Sequence, residues 1–120
     1  MTNKFPRLAQ GEITVIRVES FPVGIDRKPA EKHSLGHIIS HSEKGNHHVL
    51  TGAGVQVMER TSGVPAGMRI LEAILEEPQQ LIQDAAGNPH KPHDLPPGLY
   101  EFRIAREIDP WTEQIRQVAD

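Results

Sequence analysis

Turn-forming residues cut this chain into pieces too short for long helices. Ten glycines and ten prolines are spread along 120 residues. Between them, apolar residues alternate with period two more often than they recur every three or four positions. In "GEITVIRVESFP", Gly11 to Pro22, Ile13 and Val15 fall on one face and Thr14, Ile16 and Val18 on the other, with β-branched residues throughout. "VQVMER" sends Val55 and Val57 inward and Gln56 and Met58 outward. "LYEFRIARE" puts Tyr100, Phe102 and Ile104 on one buried face and Glu101 and Arg103 on the other. Strands are also expected from Leu35 to His41 and over "HHVLT", His47 to Thr51, joined by the turn "SEKGN". "VGIDRKPAEK" reads as a polar loop, and Asp84 to Gly98 as a long Pro/Gly/His loop.

One segment is hard to place from its own residues. "MRILEAILEE", Met68 to Glu77, has helix-favouring Leu, Ala and Glu, yet it is ten residues long and stops at Pro78. Leu71, Ala73 and Leu75 alternate with Glu72 and Glu76 as in a half-buried strand, while Ile70 and Ile74 interrupt the pattern. Near the C-terminus Asp109 reads as an N-cap and Pro110 as a first helical residue, followed by the apolar stripe Trp111, Ile115 and Val118. Six or seven short strands at roughly ten-residue spacing predict a mainly β fold: a small antiparallel β-barrel or sandwich with a short C-terminal helix over Pro110–Val118. Trp111 is expected to anchor that helix on the sheet. Residues 1–120 are the size of one domain, with no internal repeat or linker.

Composition narrows the chemistry. Aromatic residues are 4% of the chain, so the core must come mainly from Ile, Val and Leu. The absence of cysteine excludes disulfides, thiolate zinc sites and a cysteine nucleophile. The formal charge is −3 and no Lys/Arg cluster stands out, so nucleic acid is not an expected partner. No apolar run approaches the roughly 20 residues that span a bilayer, and no membrane partner is expected. "MTNKFPRLAQGE" has no apolar stretch of the signal-peptide kind, which predicts a cytoplasmic protein.

Histidine is the excess, with seven residues; protonating all of them moves the charge from −3 to +4. Four lie within twelve residues, in "HIISHSEKGNHH": His37, His41, His47 and His48. A hairpin through "SEKGN" sets His41 beside His47 or His48, and those two must point to opposite faces. Cross-strand neighbours have Cβ atoms about 4.5–5.5 Å apart, close enough for two imidazoles to share an ion. His90 from the long loop and Glu43 complete a candidate ligand set of His41, Glu43, His47, His48 and His90 for zinc or another divalent transition metal. The same histidines also fit a turn-rich, solvated surface. His33 and His37 read as a polar strand face.

Other chemistries find little support. His93 precedes Asp94, but no G-x-S-x-G element is present to carry a nucleophilic serine. Gly52, Gly54 and Gly63 form no phosphate loop, because no G-K-[ST] follows. Glu72, Glu76 and Glu77 are expected to solvate one face.

Four stretches carry a resemblance: "QGEITVIRV" (Gln10 to Val18), "HSEKGNHHVL" (His41 to Leu50), "PHKPHDLPPGLY" (Pro89 to Tyr100) and "REIDPWTEQIRQVAD" (Arg106 to Asp120). In order and spacing the chain resembles a family of small, uncharacterised bacterial and phage proteins. Its pattern runs "QGD", "HSETGHHHV", a histidine ahead of "LPPGxY", then "REYxP…IRxVxD". The resemblance implies a single β domain with recurring histidines. It also implies a strand before Pro78, which favours the strand reading of Met68–Glu77. This chain departs from the pattern at Asn46 and Gln83, where the family carries histidines. Two functions therefore stay open: a small metal-binding β domain, or a non-enzymatic protein-binding or structural module encoded by a phage or mobile element. The second would work through a protein partner or self-association and would belong to the cytoplasm or a phage particle.

Overall fold

The computed structural model describes residues 7–10, 13–41, 47–84 and 92–105. Eleven strands follow one another among them: β1 (Arg7–Gln10), β2 (Ile13–Val18), β3 (Arg27–Pro29), β4 (Lys32–His33), β5 (Gly36–Ser40), β6 (His47–Thr51), β7 (Gln56–Arg60), β8 (Met68–Leu75), β9 (Gln79–Asp84), β10 (His93–Leu95) and β11 (Gly98–Ala105). They form a six-stranded sheet in the order β1-β2-β11-β8-β7-β3 and a five-stranded sheet in the order β10-β9-β6-β5-β4. Every pairing is antiparallel.

The two sheets share one hydrophobic cluster. Ile13, Val15, Leu71, Phe102 and Ile104 enter it from the larger sheet, and Ile39, Leu50, Leu81 and Leu95 from the smaller. Residues opposite one another in register point to the same face, and Val15, Phe102 and Leu71 stand in one such row. The expectation that Tyr100, Phe102 and Ile104 are buried on one face holds, as does the strand over Met68–Leu75. Tyr100 keeps its hydroxyl satisfied by donating to the Pro96 carbonyl at 2.6 Å. No closed barrel forms: no strand pairs one sheet with the other among the described residues, so the architecture is the sandwich alternative. No helix occurs in the described residues. The helix expected over Pro110–Val118, with Trp111, lies outside them.

One connection shapes the outer face of the larger sheet. β2 and β3 are separated by β11, β8 and β7, so residues 19–26 must cross three strands. They do so as a strap. Phe21, Pro22, Val23 and Gly24 wall a cleft of about 410 Å³ with Gln56, Met58, Glu72 and Ile74 of the sheet beneath. Arg27 ties the strap down. Its Nη2 donates to the Pro22 carbonyl at 2.6 Å and its Nη1 to the Ile25 carbonyl at 3.1 Å, while its Nε donates to Glu72 Oε1 at 2.5 Å.

The expectation that Glu72 solvates the sheet surface is therefore wrong: it is 3% exposed. Register places Glu72 opposite Glu101, and like charges facing each other would repel. Arg60 stands between them, donating to Glu72 at 2.7 Å and to Glu101 at 2.9 Å. Arg103 also donates to Glu101, at 2.7 Å. Burial pushes the Glu72 carboxyl up, but hydrogen bonds from Arg27 and Arg60 outweigh it and hold the group below its usual range.

Candidate functional site

The histidine segment folds as the β5–β6 pair, with one irregularity. Ile38 lies opposite Val49, but Ser40 lies opposite His48, so β5 carries one extra residue. This β-bulge changes the register by one. Continued past Ser40, the shifted register sets His41 against His47. A regular ladder would have set Ser40 there instead. All five residues of β5 are buried: Ile39 enters the shared core, while alternation sends Ile38 to the opposite face with Val49.

The imidazoles of His41 and His47 meet edge to face, with ring centroids 4.8 Å apart and an interplanar angle of 83°. The pair expected across this hairpin is therefore formed, with His47 as the partner. Glu31, in the link between β3 and β4, pairs with His41 through Nε2. Its position is fixed from the backbone, because its carbonyl accepts a hydrogen bond from the amide of Ile38 at 2.8 Å. On the other side of β6, register places Asp84 opposite His47.

The remaining histidines go elsewhere. Alternation sends His48 to the face opposite to His47, where it is buried in a row with Ser40 and Gln83. His37 is buried too, at 5% exposure, rather than lying on a polar surface as expected. It stands opposite Leu50 on one side and Lys32 on the other. Among the described residues its Nδ1 has no hydrogen-bond partner. Burial, aided by the charge of Lys32, holds its pKa below the ordinary histidine value. His33 uses Nδ1 to accept from the Leu35 amide at 3.1 Å, and His93 sits opposite Leu81 at the sheet edge. Glu43 and His90 lie outside the described residues. Among the described residues, no group of three or more His, Asp or Glu side chains is placed to hold a metal ion.

Two features escaped the sequence reading. Glu31 fell in a segment read as a polar loop, ten positions before His41, and no spacing rule connects them. The Arg27–Glu72–Arg60–Glu101 network left a faint signal: two glutamates at the centres of mostly apolar strands.

Fold and site together define a small antiparallel β-sandwich that presents a pair of imidazoles at one end of its five-stranded sheet. The chain belongs to the family described as Domain of unknown function (DUF8820), whose model matches residues 9–105. The match spans both sheets. No curated protein and no solved structure matches the chain.

Proposed function

We propose that this domain binds a divalent transition metal, zinc foremost, through His41 and His47. One observation carries the reading: the two rings stand 4.8 Å apart at the end of a hairpin. Ligand nitrogens about 2 Å from a shared ion must themselves lie within about 4 Å of each other, and ring centroids at this separation allow it. A zinc ion needs at least one more protein ligand. Glu43 and His90 are the candidates for the remaining positions, and His48, on the opposite face, is the weakest of the expected set. Metal analysis of protein purified without an affinity tag tests the proposal. Near-stoichiometric zinc, or one equivalent taken up on titration, supports it. Protein that neither carries nor takes up metal refutes it.

The protein-binding alternative rests on a different observation. The strap leaves Val23 94% exposed beside a cleft walled by Phe21, Met58 and Ile74. A metal-free protein that captures a partner through this face would favour that reading.

A further inference from the structure

The geometry points to Glu31 as the positioning residue of the proposed site, acting through His41 and presenting the Nδ1 atom of that imidazole to the ion. The inference rests on the metal reading and deepens it.

An imidazole has two nitrogens, and a neutral ring carries its proton on one of them. In His41 the Nε2 atom faces the Glu31 carboxylate. A carboxylate accepts hydrogen bonds, so the N–H belongs on Nε2. The lone pair that a metal requires is then on Nδ1. A metal-bound histidine commonly donates its other ring N–H to a carboxylate, which fixes the tautomer and the ring orientation and raises ligand basicity. Glu31 occupies that place here. Its backbone is held beside β5 by the hydrogen bond from Ile38, three positions ahead of His41, so the carboxylate is delivered from a fixed point.

A purely structural role would show differently. The side chains of His41 and Glu31 are 52% and 61% exposed, and an ion pair so open to water contributes little to stability. Removing Glu31 should therefore leave the unfolding midpoint almost unchanged while weakening metal affinity. Loss of such an outer carboxylate costs about 10- to 100-fold in affinity.

Two measurements test this on the whole chain. Titration with zinc chloride should show Glu31→Ala binding about 10- to 100-fold more weakly than the wild type, with Glu31→Gln showing a smaller loss in the same direction. Long-range ¹H–¹⁵N spectra of the wild type should show His41 protonated on Nε2 before zinc is added, and zinc perturbing Nδ1 afterwards. The second measurement needs no substitution, so it stands even if a variant folds poorly. Equal zinc affinity in wild type and Glu31→Ala, or zinc on Nε2 of His41, overturns the role of Glu31 and leaves the metal reading intact. A wild type that binds no zinc overturns the metal reading, and the role of Glu31 with it.

Discussion

His41 stands beside His47, ring edge to ring face with centroids 4.8 Å apart, because a bulge at Ile39 sets one extra residue of β5 between the pairings of Ile38 and Ser40. The pairing depends on close backbone approach at the other end of the same strand. A Cβ added at Gly36 would lie 2.0 Å from the Leu50 carbonyl oxygen. Gly36→Ala should therefore force β5 and β6 apart, costing at least about 1–3 kcal/mol. It should also weaken protection of the Leu50 and Thr51 amides in hydrogen exchange. Unchanged stability and exchange would contradict the register given for this pair.

The buried charges under the strap act as one unit. Arg60 lies between Glu72 and Glu101, and removing it leaves two facing carboxylates short of a partner. Arg60→Met should cost about 3–5 kcal/mol in urea unfolding, the usual consequence of breaking a buried ion pair from one side. A loss below about 1 kcal/mol would mean the network is better hydrated than its burial implies.

Phe102 is fully buried at the centre of the shared core. Phe102→Ala should cost about 3–5 kcal/mol. Tyr100→Phe removes only the hydroxyl that donates to Pro96 and should cost about 1 kcal/mol. Denaturant midpoints of the two variants check both values. Equal losses would show that the core is centred elsewhere.

Stability should depend on pH in two windows. The folded pKa of His37 is depressed, so on acidification the unfolded chain takes up its proton first. The contribution of neutral His37 is thus intact above about pH 6.5 and is lost as pH falls from there toward the folded pKa. Glu72, also depressed, contributes fully above about pH 4.5 and is lost as pH falls through its folded pKa. The thermal midpoint of the wild type should fall relative to that of His37→Leu as pH drops from 7 to 5, whichever is the more stable at pH 7. A constant gap between them would contradict the assignment to His37.

The sequence showed most of the long strands and missed the short ones for a physical reason. β2, β7 and β11 alternate over five to eight residues, enough for period two to stand out. β9, six residues long, was missed because its adjacent Leu81 and Ile82 sit among glutamines with no alternation. β3, β4 and β10 hold two or three residues each, too few to carry a period. Glu72 was misread because a charged residue on a sheet normally marks the solvent side. Only the path of the strap, set by the order of distant strands, brings that face under cover. The histidine pair was legible as hairpin spacing. The choice of His47 over His48 needed the bulge at Ile39, and Glu31 needed the third strand.

Zinc titration of four proteins shows whether His41 and His47 share one metal ion. The wild type should take up one equivalent. His41→Ala and His47→Ala should each lose that uptake, while His33→Ala, whose ring is engaged with the Leu35 amide, should retain it. Uptake that survives both His41→Ala and His47→Ala, or a wild type that takes up none, would contradict the account.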